Sequence, residues 1–148
     1  MLIICNGAFK SGSSWLHAIL VELSIIKKLN LHINMKLKDI TNIIEKWSPL
    51  EHAETFDNVG LLVGNPNNNI DKALITIDAT EDVIDEAINQ NCNLVITFHP
   101  IIFSGIKQIT EKTYVERVVE KAIKNDINIY AVHTNLDNNP KGVNYKIA

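Results

Sequence analysis

Arginine and cysteine are scarce in this chain, and each scarcity removes a class of function. The 148 residues hold a single arginine, Arg117, and a net charge of −3 at pH 7. Lysines are scattered along the sequence, so no electrostatic footprint for DNA or RNA is present and no nucleic-acid partner is expected. The two cysteines, Cys5 and Cys92, are far apart in sequence. That spacing suggests neither a CxxC metal site nor a disulfide framework, and it fits buried free thiols in a reducing compartment. Long apolar runs are missing too: the stretch near residue 20 is broken by His17, Glu22 and Ser24. It falls short of a membrane span, and no basic region precedes it as in a secretory leader, so no membrane partner and a cytoplasmic location are expected. There is no Gly-x-Ser-x-Gly elbow, and Ser11, Ser13 and Ser14 lack a recognisable His-Asp partnership, which argues against a serine nucleophile. What is present, 46% hydrophobic and 21% charged residues, is ordinary for one soluble globular domain with a core of reasonable size.

The apolar residues are grouped in a way that defines a fold class. Leu94-Val95-Ile96-Thr97 and Ile127-Asn128-Ile129-Tyr130-Ala131-Val132 are short, rich in β-branched residues and bounded by polar ones, as buried strands are. Between them Tyr114, Val115, Val118, Val119, Ala122 and Ile123 recur at helical spacing, which predicts an amphipathic helix from Thr113 to about Asn125. A third strand, Ala73-Leu74-Ile75-Thr76-Ile77, precedes a second helix with Thr80 as N-cap, Glu81 and Asp82 in its first turn, and Val83, Ile84, Ala87 and Ile88 facing inward. The order β-α-β-α-β predicts an α/β fold with a mostly parallel sheet and crossover helices. Asn65-Pro66-Asn67-Asn68-Asn69 has the composition of a turn between two strands.

In such sheets the carboxyl ends of the strands share one edge, where ligands bind. Thr97-Phe98-His99-Pro100 and His133-Thr134-Asn135-Leu136-Asp137 follow two of the predicted strands, and Asp78 follows the third. Imidazole and carboxylate together suit zinc, manganese or iron better than calcium, and such sites activate water for hydrolysis. A histidine after a strand also serves as a capping residue, and Asp137 before Asn138-Asn139-Pro140 also suits a turn. Asp78 is explained as connection and capping before a helix, and stays outside the metal set. His17, His32 and His52 read as solvent-facing or packing residues.

From Met35 almost to its end the chain resembles the Nif-three-like proteins, also labelled GTP cyclohydrolase I type 2 homologues. Ile40, Ile43, Ile44 and Trp47 form one stripe of a helix from Lys38 to Trp47 that Ser48-Pro49 terminates. The stretch from Ala53 to Gly64 contains Phe56-Asp57-Asn58-Val59-Gly60-Leu61, similar to the family's Trp-Asp-Asn-Val-Gly-Leu signature with Phe56 in place of Trp. Thr97-Phe98-His99-Pro100 matches the family's Thr-His-His-Pro segment, and His133-Thr134-Asn135-Leu136-Asp137 its His-Thr-Asn-Leu-Asp segment. The resemblance implies the N-terminal half of the family fold and a di-metal site held by the paired histidines and that Asp, completed by a later His and Glu. Carried over by residue, His99 and Asp137 are metal ligands, and His133 is a further ligand or a group that orients one. Phe98 stands where the first paired histidine would be, and the chain stops at Ala148, before the later His and Glu. The expectation is an incomplete cage holding one ion rather than two, with homo-oligomers as in the family.

Residues 1–34 form a separate segment, with residues 35–148 as the truncated metal-binding domain. Leu2-Ile3-Ile4-Cys5-Asn6 is strand-like, and Lys10-Ser11-Gly12-Ser13-Ser14-Trp15 opens a helix. This loop resembles the 5′-phosphosulfate-binding loop of sulfotransferases, which implies phosphate binding by Lys10, Ser11, Gly12, Ser13 and Ser14 at a helix N-terminus. It is not a Walker A loop, because Ser13 follows Gly12. The helix after it, with Trp15, Leu16, Ile19, Leu20, Leu23 and Ile26 among its apolar residues, expects burial all round, against the α/β domain or in association.

The first functional expectation is therefore a metal-dependent, hydrolase-like protein acting on a nucleotide or another phosphorylated or cyclic amide compound. The alternatives are a non-catalytic metal-binding interaction protein and an inactive fusion fragment.

Overall fold

The computed structural model describes residues 35–140 and the backbone of residues 2–5. The proposed phosphate loop, Lys10 to Ser14, the apolar helix after it, His17 and His32 lie outside the described residues.

Among the described residues seven strands and four α-helices follow one another. Strand β1 is Leu2–Cys5, β2 Met35–Lys36 and β3 Gly60–Val63. Strand β4 is Asn69–Ile70, β5 Lys72–Thr76, β6 Leu94–Thr97 and β7 Asn128–Ala131. Helix α1 is Leu37–Trp47, α2 Glu81–Asn89, α3 Tyr114–Lys124 and α4 Thr134–Asp137. Five strands form one sheet in the order β1-β5-β6-β7-β3, and β2 pairs with β4 apart from it. Neighbours β1 to β7 run parallel, while β3 lies antiparallel to β7 at the edge. The predicted β-α-β-α-β unit is β5-α2-β6-α3-β7.

Continuous apolar strands need cover on both faces, and the sheet has it. Ala73, Ile75, Leu94, Ile96, Tyr130 and Val132 pack with Leu37, Ile40 and Ile44 of α1. On the other face Leu74, Val95 and Ile129 pack with Val83, Ile84 and Ala87 of α2 and Val118, Val119 and Ala122 of α3. Fully buried aliphatic side chains such as Ile40 and Ile84 each contribute about 1.5–3 kcal/mol by leaving water. Among the described residues no helix is long and apolar enough to cross a membrane.

The helix ends follow the expected chemistry. The Thr80 and Thr113 side chains accept from the backbone N–H groups of Val83 and Glu116, and Ser48 closes α1. The inward faces are narrower than the sequence implied. Ile88, Tyr114 and Ile123 are exposed, because each flanks the stripe at positions 84 and 87 or 115, 118, 119 and 122, and a helix on a sheet buries about a third of its circumference. Cys92 is buried and free, and burial pushes its thiol pKa up.

Candidate metal centre at the carboxyl edge of the sheet

Strand register places the site. Thr76 lies beside Thr97 and Thr97 beside Ala131, so the residues after β5, β6 and β7 leave the sheet at one edge. The turn after β6 is fixed by backbone bonds: Phe98 N–H donates to Thr76 O and His99 N–H to Ile77 O at 2.9 Å. The fully buried Thr97 hydroxyl reaches Ile77 O at 2.8 Å. After β7, Asp137 N–H and Leu136 N–H donate to His133 O, closing the short helix α4 with His133 at its head.

His99 and His133 are brought together, with ring centroids 5.5 Å apart. Phe98 stands against both, its ring 5.1 Å from His99 and 5.3 Å from His133 in edge-on arrangements. The third expected residue, Asp137, is the last residue of α4. Burial raises its pKa; His133 and His99 act against this while Asp57 adds to it, so Asp137 shares the electrostatic neighbourhood of both imidazoles.

Each imidazole carries a carboxylate on Nδ1. His99 Nδ1 meets Asp78 Oδ1 at 2.7 Å, and His133 Nδ1 meets Asp57 at 2.9 and 3.0 Å. A carboxylate on Nδ1 favours the proton there and so leaves the Nε2 lone pair available, the tautomer a metal ligand needs. The pairs differ in exposure: the Asp78 and His99 side chains are 62% and 50% exposed, those of Asp57 and His133 0% and 22%.

Asp57 is the residue that sequence reasoning missed as an individual. Its carboxylate also accepts from Asn58 N–H at 2.8 Å, from Thr134 N–H at 3.1 Å and from the Thr134 hydroxyl. Burial pushes its pKa up, but the bonds from Thr134, His133 and Asn58 outweigh this and hold it below the ordinary carboxylate value. The segment around it is stitched to α4 and its C-cap by three more bonds, Glu54 N–H to Thr134 Oγ1 at 2.9 Å and Asn138 Nδ2 to His52 O at 3.0 Å and to Glu54 Oε1 at 2.9 Å. Asp78, set aside in the sequence as a connection residue, turns out to face His99.

The donors suit a borderline divalent ion in kind, but not yet in number. Among the described residues no group of three or more His, Cys, Asp or Glu side chains is disposed to hold a metal ion. The phenyl ring of Phe98 packs beside both imidazoles and offers no lone pair.

The profile of the Duf34/NIF3 (NGG1p interacting factor 3) family matches residues 35–148. A Clostridium acetobutylicum protein named GTP cyclohydrolase 1 type 2 homolog is 46% identical over 112 residues, covering 76% of this chain and 42% of the relative. A Staphylococcus epidermidis protein of the same name is 46% identical over 114 residues, covering 77% of this chain and 31% of its own length. Among solved structures, a Staphylococcus aureus hypothetical protein superimposes with a TM-score of 0.73 at 39% identity, over 78% of this chain and 38% of that one. A Bacillus cereus protein related to NIF3 does so with a TM-score of 0.67 at 39% identity, over 71% and 29%. This chain thus spans less than half the length of these relatives. A shared profile over 35–148 and a shared fold at this identity establish that the chain belongs to the Duf34/NIF3 family.

Proposed function

We propose that this chain carries part of a metal-dependent, hydrolase-type site, with His99, His133 and Asp137 as the residues that would hold a zinc, manganese or iron ion. The observation that carries the reading is the pair of carboxylate-backed imidazoles, His99 on Asp78 and His133 on Asp57. Two histidines at one sheet edge, each backed by a carboxylate on Nδ1, leave two Nε2 atoms available as ligands. A bound divalent ion would supply Lewis acidity toward water and toward a substrate oxygen. The chain's own contribution is orientation: Asp57 locks the His133 ring, the His99 turn is fixed by Thr97, and α4 sets Asp137 near both rings. The remaining ligands would come from chain beyond the described residues or from another copy in a homo-oligomer. The curated relatives are named after GTP cyclohydrolase, so a nucleotide, or another phosphorylated or cyclic amide compound, is the substrate class to try first, in the cytoplasm.

Phe98 favours a second reading, a metal-binding interaction protein without catalysis, because it puts a ring without a donor beside both imidazoles. One experiment separates the readings. Metal content per chain is measured by mass spectrometry on the parent, His99→Ala and Asp137→Ala, followed by turnover across a nucleotide panel. Near-stoichiometric metal lost in both variants, with turnover in the parent, supports the hydrolase; metal without turnover supports the second reading. A parent that takes up no added metal refutes both.

A further inference from the structure

Phe56 and Phe103 are 65% and 51% exposed. In the loop after β6, Ile101 is buried and Ile102 and Ile106 pack on the core, yet Phe103 between them faces out. The two rings meet across the loops with centroids 6.4 Å apart at a 51° tilt. Neither exposure comes from a loose loop. Phe56 immediately precedes Asp57, whose carboxylate is held by Asn58, Thr134 and His133. Asn58 Nδ2 donates to Ile102 O, which ties the two loops directly to one another beside the aromatic pair.

Phe103 also forms one wall of a cavity of about 600 Å³ whose other walls include Pro100, Lys107, Gln108 and Tyr114. That volume suits a small-molecule ligand. Glu116 stiffens the far wall: its carboxylate accepts from Thr110 N–H, Lys112 N–H and the Thr110 and Thr113 hydroxyls. The cavity begins at Pro100, the residue after His99. An aromatic wall, a lysine, the Glu116 carboxylate and amide and hydroxyl groups therefore line this space, and its lining includes the residue that follows His99 in the chain.

We propose that Phe56, Phe103 and the adjoining cavity form a subsite for a planar heteroaromatic ring bearing an anionic group, with the ring against Phe103 and Phe56 and the anion toward Lys107. Base-on-phenyl stacking tolerates many rings, because every base has a π face, and Lys107 favours a phosphorylated one. The subsite deepens the hydrolase reading by assigning the substrate's ring. It rests on that reading for the site's purpose, but its own test is binding rather than metal content.

The test is calorimetric titration of the full chain with adenosine 5′-monophosphate and, separately, ribose 5-phosphate, using the parent, Phe56→Ala, Phe103→Ala and Phe103→Leu. Particle mass and metal content are measured on the same samples. We expect the nucleotide to bind the parent and to weaken about tenfold in each alanine variant, with Phe103→Leu no better, since leucine keeps the apolar surface but not the plane. Ribose 5-phosphate should bind all four proteins equally. No nucleotide binding by the parent at millimolar concentration, or equal binding by all four proteins, overturns the subsite. A fall in particle mass in Phe103→Ala also overturns it, because the pair would then belong to a protein interface. A nucleotide contrast that persists in protein lacking metal supports the subsite while the metal reading fails.

Discussion

Asp57→Asn is a small change in volume with a large change in hydrogen-bond logic. The carboxylate serves four donors: Asn58 N–H, Thr134 N–H, the Thr134 hydroxyl and His133 Nδ1. An asparagine there keeps one oxygen and turns the other position into an NH2 group, which cannot accept. With the nitrogen on the Oδ2 side, Thr134 N–H loses its acceptor; with it on the Oδ1 side, Asn58 N–H does. The hydroxyl can rotate to accept, but a backbone N–H cannot. One part-buried backbone donor is therefore orphaned in either orientation, at about 1–3 kcal/mol, and the bonds that remain lose their charge assistance. A total of about 2–3 kcal/mol lowers Tm by roughly 4–12 °C in a chain of this size. His133 is affected in a second way. Its Nδ1 lies within reach of both carboxylate oxygens, so the asparagine leaves it one neutral acceptor beside a competing NH2, and the Nδ1–H tautomer loses its charged partner. Loss of such a supporting carboxylate lowers metal affinity about 10–100-fold. Thermal unfolding by circular dichroism and a zinc titration read the two effects separately. If Asp57→Asn melts within a degree of the parent and binds zinc equally well, the carboxylate is neither a structural node nor the group that sets the His133 tautomer.

Gly64 has φ +121°, and a Cβ there would lie 2.0 Å from Asn128 Oδ1, which accepts from Asn65 N–H and Asn68 Nδ2. Gly64→Ala should cost about 3–5 kcal/mol in urea unfolding through backbone strain and broken buried bonds, whereas Gly105→Ala, with open space around it, should be close to neutral. Phe98→His adds a donor beside His99 and His133 and should raise metal content per chain by mass spectrometry; unchanged content would mean that ligands outside this edge limit binding. The Glu116 pKa is held below its ordinary value of 4.5, chiefly by bonds from Thr110 and Lys112 and against burial. A depressed folded pKa contributes stability that is complete above the ordinary value and is lost as pH falls through the folded one. Glu116→Gln should therefore flatten the acid side of the stability profile, read by chemical unfolding at several pH values.

Local signals carried much of this fold because they depend on neighbours in sequence. The apolar runs after Asn93 and Asp126 became β6 and β7 to within two residues, and Thr80 and Thr113 cap the helices that follow them. His99, His133 and Asp137 could be placed at one edge because parallel strands deliver their carboxyl ends there, a rule that needs no knowledge of strand order. The partners of these residues were not legible. Asp57 reaches His133 across 76 residues and Asp78 reaches His99 across 21, and no periodicity encodes a contact at that separation. Asp78 carried a sufficient local explanation, as the residue leading into a capped helix, and that explanation concealed its second role. The antiparallel course of β3 beside β7 was equally hidden, since Gly60–Val63 is too short to show which neighbour it will choose.

The borders of the five-stranded sheet are made in two different ways. One is closed by β3, which arises within residues 35–148 and runs against its neighbour. The other is closed by Leu2–Cys5, which lie outside that span and pair in register with Lys72–Ile75. A polypeptide starting at Met35 would leave the Lys72–Thr76 backbone with a row of unsatisfied amide and carbonyl groups, a template that recruits any compatible strand. Leu2–Cys5 thus cover that border as well as adding the fifth strand, and a version without them would be expected to self-associate through it.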